Sequence, residues 1–253
     1  MTPAVNRRDD QYGGSFDNRL RFTREVAAAT RNAVPTDFIV GLRFSSDERD
    51  QQGIGEDDSL AIARGLKDDF DYFNVIAGTS FAAGGATHIV PSMQTPTGYL
   101  APYAARLKQS LGKPVLVAGR INQPHQAERI LASGGADLCG MTRALIADPQ
   151  MPIKARTGRA DDIRACIACN QACIGHFQLG LSISCIQHPE TGRELAYGQR
   201  RPASAKKRIL VVGGGPGGLK AAAVAAERGH QVDLFERGTQ LGGQALLAQL
   251  LPG

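Results

Sequence analysis

Four short apolar runs, separated by stretches with helical spacing, most strongly constrain what the first part of the chain can fold into. The runs occupy residues 38–44, 72–78, 114–119 and 136–140. Near-continuous apolar strands of this length are typical of a parallel sheet buried on both faces. Helices are predicted at 15–29, 59–66, 100–111 and 124–133. Four strand–helix units are half of an eight-stranded barrel, so the sequence predicts an α/β fold, either half of a TIM (β/α)8 barrel or a smaller open sheet.

The cysteines follow this region and are unevenly placed. Four of the five stand at Cys166, Cys169, Cys173 and Cys185, whereas Cys139 lies in a predicted strand and is expected to be a core thiol. Four thiolates are the usual ligands of a [4Fe–4S] cluster. Structural zinc more often uses two matched Cys-x2–4-Cys pairs, and the second pair is missing here. The spacing favours an iron–sulfur cluster, with a zinc site and unligated thiols as alternatives.

A glycine-rich turn near the end of the chain predicts a nucleotide site. Gly213, Gly215 and Gly218 form a G-x-G-x-x-G pattern between a predicted strand at 208–212 and a predicted helix at 219–228. A second strand is predicted at 231–235, and Glu236 follows it. Together these features predict a dinucleotide site, with the pyrophosphate at the helix N-terminus and the carboxylate on the ribose hydroxyls. A plain tight turn is the alternative.

Glycines and arginines follow the last two strands of the first region. They are Gly119, Arg120, Gly140, Thr142 and Arg143. In a barrel, the loops after the last two strands often hold a phosphate, and arginine neutralises phosphate charge. Arg43 lies at the end of the first apolar run and is expected to stabilise an anionic reduced cofactor or to pair with a carboxylate. As bare sequence, each phosphate-site arginine could equally be a surface ion-pair partner.

Charge and hydropathy exclude several classes of protein. The 29 basic and 24 acidic side chains give a net charge of +5. A basic segment at 196–208 accounts for this excess, which indicates a solvated linker rather than a nucleic-acid surface. The longest uncharged stretch, 165–189, is interrupted by polar residues and predicts no membrane helix. With no apolar leader and with clustered cysteines, the chain is expected to be cytoplasmic.

These features together resemble one family. The stretch NRRDDQYGGSFDNRLRF at 6–22 is similar to the signature of the old yellow enzyme class of NADH:flavin oxidoreductases. The added cysteine cluster and glycine turn resemble the multidomain branch that contains bacterial 2,4-dienoyl-CoA reductase and trimethylamine dehydrogenase. The resemblance covers the whole chain. It implies the second, C-terminal half of an FMN-binding TIM (β/α)8 barrel at 1–160, an iron–sulfur segment and linker at 161–207, and the start of a Rossmann-like domain at 208–253.

The resemblance also implies roles for individual residues. Arg43 matches the arginine near the flavin ring, and the five residues that follow the last two strands match the FMN phosphate region. The four clustered cysteines match the ligands of the [4Fe–4S] cluster. The three glycines of the turn match a site for FAD or ADP, as do Glu236 and, within a later motif at 241–244, Gln244. The family pattern leaves room for NAD(P)H in the full-length protein.

The implied function is an FMN- and [4Fe–4S]-dependent oxidoreductase for a small-molecule substrate. It would oxidise an N-methylated amine or reduce an unsaturated carbonyl, and it could pass electrons to a partner. The family's catalytic histidine pair precedes the signature, so the chain is expected to be an internal fragment that carries no catalytic residue and is inactive alone. The stretch 78–81 lacks the histidine of the reductases, which favours an amine. The alternatives are a non-catalytic remnant and a zinc-stabilised nucleotide-binding module.

Overall fold

The computed structural model describes residues 1–198 and 200–248. The chain forms two compact units, Met1–Thr191 and Gly192–Gly253. The cysteine-rich segment up to Thr191 therefore belongs to the same compact unit as the strands that precede it. The three-part division at 160 and 207 stays a prediction.

A four-stranded parallel sheet forms the centre of the first unit. Its strands are β1 (Gly41–Ser45), β2 (Tyr72–Ile76), β3 (Val115–Val117) and β4 (Leu138–Cys139), hydrogen-bonded in the order β1-β2-β3-β4. All three pairings are parallel, and each strand lies beside its neighbour in sequence. The predicted succession of four strand–helix units is confirmed. The observed strands are shorter than the apolar runs because the ends of those runs form loops.

The two faces of this sheet differ. Phe44, Phe73, Val75, Val115 and Val117 are buried on one face and pack against the helices. The opposite face carries side chains that the strand register places in one row: Arg43, Asn74, Leu116 and Leu138. Leu138 is 53% exposed on this second face. The hydrophobic core thus lies on the helical side, and the other face is only partly covered by the described residues.

Helices flank the strands of the first unit. In the described residues they are α1 (Phe16–Ala33), α2 (Glu56–Gly65), α3 (Ala83–Ile89), α4 (Ala101–Leu111), α5 (Pro124–Ala132), α6 (Thr142–Ala147), α7 (Met151–Arg156) and α8 (Ile174–Gln178). Ser15 caps α1, as predicted, by accepting a hydrogen bond from the backbone N–H of Asn18. Helices α3, α6, α7 and α8 were not predicted, because each has only one or two turns and shows no clear periodicity.

A buried carboxylate fixes the segment that leads to the cysteines. Asp148 is fully buried after α6. Its Oδ2 accepts hydrogen bonds from Lys154 Nζ at 2.6 Å and from the backbone N–H of Arg164 at 3.0 Å. Burial alone would raise the pKa of Asp148, but the Lys154 ammonium and the backbone donors hold it below its usual value. The chain entering the cysteine segment is therefore anchored by one ionised group.

The described residues of the second unit form a strand–helix–strand motif. Strands β5 (Arg208–Val212) and β6 (Gln231–Phe235) pair in parallel, with α10 (Pro216–Glu227) between them. The short helices α9 (Glu194–Tyr197) and α11 (Ala245–Ala248) lie on either side in sequence. Both strands have the predicted bounds, whereas α10 begins earlier than predicted because Pro216 is well suited to the first helical position.

No helix in the described part of either unit is long and apolar enough to cross a bilayer.

We expect Asp148→Asn to destabilise the first unit, because an amide places a donor against the Lys154 ammonium and the Arg164 N–H. The loss should be about 3 kcal/mol, as for other broken buried ion pairs. Asp161→Asn, at an exposed position, is the control and should change the free energy of unfolding by less than about 0.5 kcal/mol. Urea unfolding followed by circular dichroism measures both.

The effect of Asp148 should also depend on pH. Folding lowers the pKa of the Asp148 carboxyl. Such a group stabilises the fold fully above its unfolded pKa of about 4, and this stabilisation disappears as the pH falls through the folded pKa. The difference in unfolding free energy between the wild-type chain and Asp148→Asn should therefore be full at pH 7 and shrink below about pH 4. A difference that does not change with pH would contradict an ionised Asp148.

Candidate functional site

One cavity opens at the carboxyl ends of the strands in the first unit. Its volume is about 270 Å³. All six residues that the sequence assigned to the flavin line it: Arg43, Gly119, Arg120, Gly140, Thr142 and Arg143. The parallel strands bring these residues together although a hundred positions separate Arg43 from Arg143 in the chain. We call this space the sheet-edge cavity.

Arg120 lines the sheet-edge cavity with part of its guanidinium unpaired. Its backbone is left-handed, with φ 51°. Its Nη1 donates a hydrogen bond to the carbonyl of Thr95, while its Nε is buried and has no partner. A buried donor without an acceptor costs about 1–3 kcal/mol. The site therefore fits an anionic ligand that would accept this hydrogen bond.

Glycine at the two strand ends is required by packing within the protein. A Cβ atom on Gly119 would lie 3.0 Å from the ring of Tyr99, and one on Gly140 would lie 2.9 Å from the Cβ of Ala118. Tyr99 and Ala118 also line the sheet-edge cavity. Glycine at both positions therefore allows the wall of the cavity to pack closely.

Arg43 lies in the middle of β1, exposed on the partly covered face of the sheet. The strand register places it beside Asn74, whose Oδ1 is buried without a hydrogen-bond partner. Among the described residues, none of the observed ion pairs involves Arg43. The alternative that Arg43 simply pairs with a carboxylate of this chain therefore has no support here.

The four clustered cysteines surround a second, smaller cavity. They are Cys166, Cys169, Cys173 and Cys185, and the space between them measures about 20 Å³. We call it the cysteine cavity. Helix α8 reverses the chain after Cys173, and a backbone hydrogen bond of 2.7 Å from Ser184 to Ala172 brings Cys185 back to the loop. This return explains the long last spacing in the sequence pattern. All four thiols are free and partly buried.

The arrangement of the thiols leaves the zinc and iron–sulfur alternatives open. In the described parts of the chain, no three or more His, Cys, Asp or Glu side chains are grouped closely enough to hold one metal ion. A single zinc requires its four ligand atoms within about 2.0–2.3 Å of one point. A [4Fe–4S] cluster likewise needs four thiolates around one centre, so this arrangement favours neither alternative.

Cys166 and Arg143 line both the sheet-edge cavity and the cysteine cavity. Burial raises the pKa of the Cys166 thiol, while the N–H of Ala168 and the positive charge of Arg143 act in the opposite direction. The two candidate sites therefore share part of one wall, and this part includes the positively charged side chain of Arg143. By contrast, Cys139 lies in β4 and lines neither cavity, and burial raises the pKa of its thiol.

Two asparagines that the sequence analysis missed connect the cavities. Asn122 Nδ2 donates to the carbonyl of Cys166 at 2.6 Å, and Asn170 Oδ1 accepts from Arg143 Nη1 at 2.6 Å. Each pair is far apart in sequence, so no local spacing could have revealed it. The only sequence signal was the position of Asn170 directly after Cys169.

The glycine turn of the second unit has the geometry of a nucleotide-binding loop. Gly213 has φ 103°, which favours glycine. A Cβ on Gly218 would lie 1.9 Å from the carbonyl oxygen of Gly213, so glycine is needed there for close packing of helix and strand. A Cβ on Gly215 would meet no atom within 4 Å. The approach to the N-terminus of α10 is therefore open at Gly215.

Glu236 is held against this turn. Its Oε1 accepts a hydrogen bond of 2.8 Å from the N–H of Gly238, and its Oε2 accepts one of 2.7 Å from the N–H of Gly214. These donors lower the pKa of Glu236, so the carboxylate is ionised at neutral pH. Gln244 follows a loop in which the N–H of Gly242 donates to the carbonyl of Gly214 at 2.8 Å. The glycine turn, the Glu236 carboxylate and the later motif at 241–244 therefore lie next to one another.

Comparison with known proteins agrees with both units. The profile of the NADH:flavin oxidoreductase / NADH oxidase family matches residues 1–162, and that of an NAD(P)-binding Rossmann-like domain matches residues 211–251. Together with the parallel strands, these matches confirm the predicted α/β fold class, with a TIM-barrel-type region followed by a Rossmann-like region. The iron–sulfur character of the cysteine segment stays a prediction.

Two relatives of known activity match nearly the whole chain. The N,N-dimethylglycine/sarcosine dehydrogenase of Chromohalobacter salexigens is 43% identical over 99% of this chain and 37% of its own length. The NADH oxidase of Thermoanaerobacter brockii is 40% identical over 100% of this chain and 39% of its own length. The chain therefore spans less than two fifths of the curated relatives that it matches.

A solved structure agrees with these sequence matches. The structure of 2-naphthoyl-CoA reductase in complex with 2-naphthoyl-CoA is 33% identical and superposes with a TM-score of 0.86, covering 95% of this chain and 36% of that one. The resemblance inferred from the signature at 6–22, the cysteines and the glycine turn is confirmed at the level of the family. The chain belongs to the NADH:flavin oxidoreductase / NADH oxidase family.

Proposed function

We propose that this chain forms part of an oxidoreductase that uses FMN and a [4Fe–4S] cluster. The observation that carries the proposal is the wall shared by the two cavities. All six predicted flavin residues line the sheet-edge cavity, all four clustered cysteines line the cysteine cavity, and Cys166 and Arg143 belong to both. A flavin and an iron–sulfur cluster placed in these cavities would be neighbours.

The sheet-edge cavity suits FMN because its cations are placed for both ends of that molecule. Arg120 and Arg143 would hold the phosphate, since Arg120 Nε is a buried donor that lacks an acceptor. Arg43 would face the flavin ring and stabilise negative charge on its reduced form. When bound, FMN supplies hydride and single-electron chemistry. The chain's own contribution is to bind the phosphate, orient the ring and keep a cation beside it.

The cysteine cavity suits a [4Fe–4S] cluster. Cys166, Cys169, Cys173 and Cys185 would be its ligands, and when bound the cluster supplies one-electron transfer. Because Cys166 also lines the sheet-edge cavity, one ligand would stand between the two groups. Asn122 fixes the backbone of that ligand through the carbonyl of Cys166. These residues thus hold the cluster and set its separation from the flavin cavity.

The second unit is proposed to bind the ADP moiety of a dinucleotide, with FAD or ADP as the ligand and NAD(P)H as a further candidate. Gly215 leaves the helix N-terminus open to a pyrophosphate. Glu236 is ionised and close to the turn, as a ligand of ribose hydroxyls must be. Arg237 beside it is a cation that could meet a 2′-phosphate.

An N-methylated amine is the substrate that we favour. The stretch 78–81, shortly after β2, lacks the histidine found in the enoyl reductases, and the N,N-dimethylglycine/sarcosine dehydrogenase that matches the chain is 43% identical to it. The step would transfer a hydride equivalent from an N-methyl carbon to FMN as the oxidant, and hydrolysis of the resulting iminium by water would release formaldehyde and the demethylated amine. Reduction of an unsaturated carbonyl or enoyl substrate is the second candidate.

Anaerobic reconstitution of the 253-residue chain with iron and sulfide should give about four irons per chain, as a [4Fe–4S] cluster requires. Replacing Cys166, Cys169, Cys173 or Cys185 by serine should remove most of this iron, because serine lacks the soft thiolate. Iron analysis and the visible absorption of the cluster measure the result.

Cys139→Ser is the matched control, because Cys139 is a partly buried thiol in β4 that does not line the cysteine cavity. It should bind as much iron as the wild-type chain. Stoichiometric zinc without iron, or loss of iron only on replacement of Cys139, would contradict the cluster assignment.

Replacing Gly215 by valine should weaken binding of ADP by about tenfold or more, because the side chain would fill the approach of the pyrophosphate. Gly217→Val is the control, since a Cβ there also meets nothing within 4 Å but the position is variable in the motif. Isothermal titration calorimetry with ADP and FAD distinguishes the two variants. Equal affinity of Gly215→Val and wild type would show that the turn is only structural.

A further inference from the structure

Arg143 contacts the cysteine loop directly, in addition to lining the sheet-edge cavity. Its Nη1 donates to the carbonyl of Pro91 at 2.8 Å and to Asn170 Oδ1 at 2.6 Å. Asn170 lies between Cys169 and Cys173. The guanidinium is therefore fixed at the boundary of the two cavities, and it is attached to the loop that carries three of the four cysteines.

The side-chain amide of Asn170 can bind Arg143 in only one orientation. Its Nδ2 donates to the carbonyl of Val90 at 2.7 Å, so its Oδ1 must be the atom that faces the guanidinium. Its backbone is left-handed, with φ 59°, and its carbonyl accepts a hydrogen bond of 2.9 Å from the N–H of Gly175. Backbone and side chain are both fixed, which makes Asn170 a rigid support for Arg143.

The charge of Arg143 is not compensated by the described part of the chain. Both partners of its Nη1 are neutral oxygens, and none of the ion pairs observed among the described residues includes it. In a partly buried wall, a charge acts more strongly than it would in water. An anion in either cavity would therefore interact with the same cation.

We propose that Asn170 is a positioning residue that holds Arg143 where its charge acts on the iron–sulfur cluster as well as on the flavin phosphate. This inference rests on the proposed function. Reduction adds an electron, and hence negative charge, to the cluster, so a nearby cation favours the reduced form and raises the reduction potential. An anion bound to Arg143 from the sheet-edge cavity offsets that effect. Occupancy of the phosphate site is thereby coupled to the potential of the cluster.

The test is a redox titration of the reconstituted 253-residue chain, followed by electron paramagnetic resonance. Arg143→Gln should retain the cluster at a lower midpoint potential, and Arg143→Lys should fall closer to wild type because it keeps the charge. Asn170→Gly preserves the left-handed backbone but removes the amide, and Asn170→Asp adds a charge that pairs with Arg143. Both Asn170 variants should lower the potential.

Inorganic phosphate provides a test that needs no variant. It should lower the midpoint potential of the wild-type cluster and have no effect on that of Arg143→Gln. Arg129→Gln is the control for net charge, because Arg129 is exposed on α5 and lines neither cavity. It should match the wild-type chain in potential and in its response to phosphate.

The outcomes separate this inference from the proposed function. A wild-type chain that takes up no iron contradicts the iron–sulfur proposal and this inference together. A wild-type cluster whose potential is unchanged by phosphate, or is the same in Arg143→Gln and in wild type, contradicts this inference alone. If Arg143→Gln lowers the midpoint potential but Asn170→Gly leaves it at the wild-type value, Asn170 only shapes the loop and does not position Arg143.

Discussion

The parallel pairing of β1 to β4 is the constraint on which the candidate site depends. Parallel strands place all of their carboxyl ends at one edge of the sheet, so the residues that follow each strand become neighbours. Arg43 comes from β1, Arg120 follows β3, and Arg143 follows β4, yet all three line one cavity. An antiparallel arrangement would distribute the same residues over opposite edges. The proposed site therefore depends first on the direction of the strands, and only then on the identity of its side chains.

The cysteine segment depends on the sheet edge for its position. Asp148 anchors the chain before Cys166, Asn122 holds the Cys166 carbonyl, and Asn170 binds Arg143. These contacts explain why the segment up to Thr191 belongs to the first compact unit. A loop with four cysteines but without these contacts would supply only the ligands of a cluster. Attached in this way, it also places one ligand and one cation in the wall of a second cavity.

The sequence predicted features that depend on local pattern. The bounds of β5 and β6 are as predicted, because a glycine turn and a short alanine-rich helix leave few alternatives for the strands beside them. The cysteines that line one cavity were identified from spacing alone. Contacts between distant positions could not be read in this way. Asn170 meets Val90, and Asn122 meets Cys166, only after the sheet has assembled. Gly119 and Gly140 were identified as site residues, but their tight packing depends on neighbours that no local pattern specifies.

X-ray diffraction at the iron absorption edge tests the central claim most directly, with crystals of the 253-residue chain reconstituted with iron and sulfide and soaked with FMN. We expect anomalous density for four irons between Cys166, Cys169, Cys173 and Cys185, and flavin density with its phosphate against Arg120 and Arg143. Iron bound elsewhere, a single metal ion between the cysteines, or a flavin outside the sheet-edge cavity would contradict it.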